Sequence, residues 1–109
     1  MTQAPADAPR SLGICVTTPG SARHVLGLTS AAVRAGISTE IFLTGEGVRL
    51  VRDHRFRELV ASARVSVCDV SFRAAGLDAG DAAGLADKDF VTQWRNAEMV
   101  ESCDRYLVF

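Results

Sequence analysis

The sequence predicts an α/β domain built on a parallel sheet, and three observations carry that prediction. Short β-branched apolar runs alternate with stretches of helical periodicity, the pattern of strand–helix–strand crossovers that place helices on both faces of a sheet. The runs are apolar almost throughout, as strands covered on both faces require. Turn signals stand between them: Pro19-Gly20, Gly36, Gly45-Glu46-Gly47 and Gly76. At 109 residues the chain is long enough for one core and too short for two.

Taken in order, residues 1–11 carry Pro5 and Pro9 but no apolar segment. They read as a disordered lead-in rather than a signal peptide, leaving 12–109 as a single domain. Residues 12–18 form a first strand, with Cys15 inside it as core packing. Ser21 is placed to cap a helix through Ala35, whose stripe is Val25, Leu28, Thr29, Ala32 and Val33, and Gly36 ends it. Residues 37–44 are a second strand, closed by the flexible Gly45-Glu46-Gly47 loop. Residues 48–63 read as one helix, with Phe56, Leu59, Val60 and Ala63 at i, i+3, i+4 and i+7. Residues 65–68 are a third strand that runs straight into a short helix ending at Gly76. Residues 77–88, small, acidic and Gly-rich, read as loop. Residues 89–93 form a weak fourth strand. Asn96 caps a helix through Cys103 with Met99, Val100 and Cys103 inward, and residues 105–109 close the sheet.

Composition narrows the function classes. Hydrophobic residues make up 48%, charged residues 23%, and the formal net charge is −1, so no net field draws the chain to nucleic acid or anionic lipid. No apolar run approaches the roughly 20 residues that span a bilayer. The three cysteines are far apart, with no CxxC pair and no Cys/His cluster at metal spacing, so no metal site is expected. With no secretory signal, the expected setting is a reducing cytoplasm with free thiols.

Cys68 is the leading candidate for chemistry. It stands where the third strand meets the next helix, at the carboxyl end where ligands gather in parallel sheets. Backbone N–H groups at a helix start favour a thiolate. Asp69 opposes that effect; Arg73, or Arg23 and His24 after the first strand, would support it. The competing reading is a small buried hydrophobe, the commonest role of a free cysteine. The turns 18–21 and 45–47 both follow strands and are expected to flank Cys68 on one rim. That makes Ser21, His24, Glu46 and Gly47 candidate substrate-binding residues, with Ser71, one turn beyond Cys68, placed to hydrogen-bond the sulfur. There is no GxGxxG and no P-loop lysine, so the glycines read as tight turns rather than a nucleotide cradle. His54 lies on an arginine-rich helix face with no interleaved aromatics. That face reads as a solvated surface, neutralised by the acidic stretch 78–89, and not as a nucleic-acid platform.

Several of these segments share a family likeness. Val65-Ser66-Val67-Cys68 followed by Ser71-Phe72-Arg73-Ala74-Ala75-Gly76-Leu77 resembles the cysteine-bearing strand–helix of DsrE/DsrF-like sulfur-relay proteins. Gly45-Glu46-Gly47-Val48 after an Ile-Phe-Leu strand is similar to that family's turn after its second strand. Cys103-Asp104-Arg105-Tyr106-Leu107-Val108-Phe109 is similar to its closing strand. The resemblance spans roughly residues 13–109. It implies a three-layer α/β/α domain with a five-stranded parallel sheet, assembled as a trimer or hexamer. It also implies a cysteine at position 68 that accepts sulfur as a persulfide, in the manner of a sulfurtransferase or carrier. Sulfur would come from a donor protein and pass to an acceptor protein, with no metal or organic cofactor. Two alternatives stand beside it: a non-enzymatic oligomeric assembly module of the same fold, and a thiol redox sensor. The sensor reading lacks an obvious resolving cysteine near Cys68.

Overall fold

Five short strands pair into one sheet: β1 (Ser11–Val16), β2 (Ser38–Leu43), β3 (Arg64–Cys68), β4 (Phe90–Val91) and β5 (Arg105–Val108). Their order is β4-β3-β2-β1-β5 and every pairing is parallel, as the strand–helix alternation predicts. This computed structural model describes residues 10–109. Most of the expected lead-in lies outside the described residues. Ser11, assigned to that lead-in, belongs instead to β1, and the Arg10 carbonyl accepts from the Ser38 amide at 2.9 Å.

Alternation along the strands separates two cores. Leu12, Ile14, Val16, Ile41, Leu43, Val65 and Val67 point to one face. There they meet Val25 and Ala32 of α1 (Ala22–Arg34), Leu59 of α2 (Phe56–Ser62) and Phe72 of α3 (Asp69–Ala74). Gly36, at φ 74°, ends α1 in the left-handed conformation that glycine adopts without strain. Cys15, Phe42 and Cys68 point to the opposite face, where Met99 of α4 (Gln93–Ser102) packs on them.

Chain direction explains this division of helices. The chain steps β1, β2, β3, β4 one way across the sheet. It then returns from β4 at one edge to β5 at the other. A right-handed crossover in the reverse direction passes over the opposite face. The return covers four strand spacings, about 19 Å, and the ten residues of α4 supply about 15 Å of it.

Four local expectations are corrected. The helix expected over 48–63 is two pieces, 3-10 turns over Gly45–Arg52 and then α2. Asp53 divides them: its backbone is extended, and its carboxylate accepts from the Arg55 amide at 2.9 Å, a local bond that competes with helix continuation. The last helix begins at Gln93, not Asn96, because Thr92 Oγ1 accepts from the Trp94 amide and serves as the cap. The Asn96 side chain instead accepts from Tyr106 Oη at 2.6 Å. Val100, expected inward, is exposed, since Met99 occupies the sheet-facing position. The loop after α3 is likewise less irregular than expected. It holds 3-10 turns at Ala79–Asp81 and Asp87–Asp89 and buries Leu77 and Ala82. Asp81 of this acidic stretch pairs with Arg52 of the basic face at 3.1 Å, within the chain.

Two buried hydroxyls, those of Thr29 and Thr39, are left without a partner among the described residues. Thr29 of α1 is fully buried and its Oγ1 has no hydrogen bond among the described residues. A buried hydroxyl without a partner costs on the order of 1 kcal/mol or more. Thr29→Val is therefore expected to stabilise the fold by about 1 kcal/mol, read as a higher urea midpoint at unchanged slope. A lower midpoint would show that a bound water satisfies the hydroxyl.

Candidate functional site

Cys68 is the last residue of β3, and its register partner on β4 is Val91. The connection leaving β3 enters α3, on the face that holds the larger core. The connection leaving β4 enters α4, on the opposite face. Where adjacent parallel strands send their chains to opposite faces, a crevice opens outside their carboxyl ends, and ligands bind in such crevices. Cys68 sits at the base of this one.

Four donors converge on its sulfur. The Ser71 hydroxyl, the Ser71 and Val70 backbone N–H groups and the Gln93 carboxamide are the groups around it that favour its thiolate. Burial pushes the Cys68 thiol up, and the donors together outweigh it, so the net direction is down from the ordinary thiol value. The donors are themselves fixed. Gly45 N–H donates to Ser71 Oγ at 3.0 Å, and Gln93 Nε2 donates to Thr44 Oγ1 at 2.7 Å. Thr44 and Ser71 hydroxyls lie 3.5 Å apart. Thr44, Ser71 and Gln93, from three different connections, thus make a polar ring over the sulfur.

The other two cysteines are in the opposite electrostatic condition. Burial pushes the Cys15 thiol up, against a smaller lowering by the nearby Tyr106 hydroxyl. Burial and the neighbouring Glu40 carboxylate push Cys103 up. All three cysteines belong to the same small core, yet they are not within bonding reach of Cys68. Cys15 pairs with Phe42, which pairs with Ser66, so Cys15 and Cys68 are two strands and two residues apart, about 12 Å between Cα atoms. Disulfide geometry needs Cα atoms under about 7 Å. Cys103 Sγ lies against Gly13, at the Glu40 level of the sheet, four residues or about 13 Å short of Cys68 along the strands.

The remaining sequence candidates divide. Ser71 is at the sulfur as expected. Gly45 joins the ring through its amide, but Glu46 is turned outward and pairs with Arg49 at 2.8 Å. Gly47 is buried directly beneath the Val16 carbonyl, where a side chain has no room. Ser21 is buried, and its hydroxyl donates to the Thr18 carbonyl at 2.9 Å and accepts from no helix-start amide, correcting the expected cap. It follows β1, two strands or about 10 Å from β3, as do Arg23 and His24, both exposed. The 18–21 turn packs on the 45–52 segment and stands behind the rim instead of flanking the sulfur. Asp69 and Arg73 pair with each other at 2.7 Å, so the expected opposition from Asp69 and help from Arg73 largely cancel. His54 is exposed beside Asp53.

Exposure of the sulfur differs from the expectation of an open rim. Cys68 is 4% exposed, and the ring residues above it are what solvent meets. A groove of about 410 Å³ opens farther along α3, lined by Asp69, Phe72, Arg73, Leu77, Asp78 and Phe90 among others; Cys68 is not part of it. Among the described residues no group of three or more His, Cys, Asp or Glu is placed to hold a metal ion, and no helix is long and apolar enough to cross a membrane.

Gln93 and Thr44 were not marked as site residues by the sequence. Neither residue type is diagnostic, and they meet Cys68 only because β4 lies beside β3. The one available signal was that Gln93 follows a strand, at the kind of carboxyl end where such crevices form.

No protein-family model matches the chain, and no curated protein matches it.

Proposed function

We propose that the protein is a sulfur carrier that holds sulfane sulfur on Cys68 as a persulfide. One observation carries the reading: of three thiols in one core, the one at the crevice is the one that hydrogen-bond donors stabilise as a thiolate. The likeness of residues 65–77 to the cysteine-bearing strand–helix of DsrE/DsrF-like proteins supports it further.

In the proposed reaction the Cys68 thiolate attacks the outer sulfur of a donor persulfide, R–S–SH. The new Sγ–S bond forms as the donor's S–S bond breaks, and the donor leaves as the thiolate R–S⁻. An acceptor thiolate then attacks the outer sulfur of Cys68–S–SH, and Cys68 leaves as thiolate. Exchange of this kind depends on thiolate fraction, leaving-group quality and access, and needs neither metal nor organic cofactor. The donors that lower the thiol also make Cys68 a better leaving group in the second step.

Incubation with a low-molecular-weight persulfide is expected to add one sulfur atom to the intact mass. Cys68→Ala abolishes the gain, whereas Cys15→Ala and Cys103→Ala keep it. A wild type that gains no sulfur, or a Cys68→Ala protein that gains it equally, rejects the carrier reading.

A second reading has its own support. Trp94 and Val100 on α4 and Leu107 and Val108 on the edge strand β5 are large, apolar and exposed. An assembly module forming a homo- or hetero-oligomer, a trimer or hexamer by the family likeness, would cover them. Inert Cys68 in thiol labelling of the native protein, together with a concentration-dependent oligomer, favours this reading over the first. For a redox sensor, the separations given above leave Cys68 without a resolving cysteine in reach.

A further inference from the structure

We propose that Gln93 is the positioning residue of this site, a latch whose carboxamide reaches from the end of β4 to Thr44 after β2, across the end of β3 where Cys68 stands, and swings outward to admit a sulfur-bearing partner. The inference deepens the carrier reading and rests on it for the identity of the partner. The geometry of the latch stands by itself.

Three observations lead there. Gln93 is exposed, so its side chain is free to leave. Its Nε2 is 2.7 Å from Thr44 Oγ1, across the mouth of the crevice from its own backbone at the start of α4. Cys68 beneath it is only 4% exposed, so a reagent reaching Sγ must displace something. The other ring members are less able to move. Ser71 is held by the Gly45 amide and lies within α3, and Thr44 N–H donates to the Val16 carbonyl at 3.0 Å. A carboxamide suits a latch, since its NH₂ group carries two donors, of which Thr44 takes one.

The titratable and charged groups packed around Cys68 are few. They are Asp69, beside it in sequence and neutralised by Arg73, and, farther off in the same small core, Cys15 from β1, Cys103 after α4 and Tyr106 from β5. Glu46 and Arg49 pair on the rim. Gln93 is hydrogen-bonded to none of these, so a change in the pH response of Cys68 is assignable to Gln93.

The test is iodoacetamide alkylation of the native protein across pH, followed at the Cys68 peptide by mass spectrometry, with buried Cys15 as an internal monitor of unfolding. Gln93→Ala loses both latch and donor. Its limiting rate at alkaline pH is expected to rise about fivefold, the worth of one released hydrogen bond, and its half-maximal rate to move to higher pH. Gln93→Glu keeps the reach to Thr44 and adds a negative charge. It is expected to move the half-maximal rate further up in pH while keeping a limiting rate near wild type. An unchanged limiting rate or unchanged pH midpoint in Gln93→Ala overturns the proposal. So does Cys15 alkylation rising in step with Cys68, which would mean the packing, not the latch, has been lost. The persulfide-loading experiment is separate: a wild type that takes up no sulfur rejects the carrier reading and leaves the latch result intact.

Discussion

Gly47→Ala is expected to destabilise the protein by about 3 kcal/mol, at the upper end of what overpacking a single methyl costs. A Cβ at position 47 would overlap the Val16 carbonyl oxygen, lie 2.6 Å from the Val16 carbonyl carbon and 3.0 Å from Thr17 Cα. These neighbours are backbone at the end of a central strand and cannot give way. Val16 is in register with Leu43, its carbonyl accepts from the Thr44 amide, and the Thr17 amide donates to the Phe109 carbonyl. The 44–48 turn must move instead. That breaks the Gly47–Thr44 bond (2.9 Å) and drags Gly45 and Thr44 away from Ser71 and Gln93. Urea denaturation measures the loss, and Cys68 alkylation should change in the same variant because the ring is built on this turn. Gly27→Ala, in exposed α1 with nothing within 4 Å of the new methyl, is the control. It is expected to stabilise by about 0.5–1 kcal/mol through helix propensity. A Gly47→Ala midpoint as high as wild type would show that the turn reseats at no cost.

Ser71→Ala is expected to slow alkylation of Cys68 near neutral pH by about tenfold, since a hydrogen bond to a charged group is worth roughly 1.5–3 kcal/mol. Ser71 Oγ accepts from Gly45, which leaves its own proton for the sulfur. The deficit should close as pH rises, because the variant thiol ionises later but ionises fully. Stability follows with a definite sign. The Cys68 thiol is lowered in the folded protein, so its contribution is present above the unfolded thiol's pKa and is lost as pH falls through the folded value. Cys15 and Cys103 are raised, so theirs is complete below the unfolded value and lost as pH rises toward the folded one. The gap in unfolding free energy between wild type and Ser71→Ala should therefore widen in alkaline solution. A gap that stays constant with pH would mean that Ser71 supports the turn alone and leaves the thiol untouched.

The architecture was legible because its cause is local. Runs such as Ile41-Phe42-Leu43 and Val65-Ser66-Val67 are apolar and β-prone enough to name themselves as strands, and their separation by helical periodicity leaves a parallel sheet as the economical arrangement. Errors arose where a single side chain overrides periodicity. Asp53 captures an amide and divides a stretch whose apolar spacing reads as one helix. Thr92 takes a cap that Asn96 was equally suited to by type, while Asn96 is drawn to Tyr106. The site was half legible for a different reason. Cys68 and Ser71 are three residues apart, so any helix start brings them together. Gln93 and Thr44 meet each other across the end of β3 from positions 25 residues after and 24 residues before Cys68. That meeting depends on which strand lies beside which, and strand order is not written in any one segment.

The return crossing of α4 has a mechanical side. From Asn96 onward the helix is fastened to the sheet: Asn96 to Tyr106, Met99 among Cys15 and Phe42, and Cys103 against the Glu40 carboxylate at 3.7 Å. Its opening turn is tied by the Gln93–Thr44 bridge and by Arg95 to Glu40 at 3.7 Å, and the indole of Trp94 stands in solvent. A rod clamped along its far length pivots only at its free tip. The tip of this lever carries Gln93, so a tilt of the first turn would lengthen its 2.7 Å bond to Thr44 before any other contact of the sheet is disturbed.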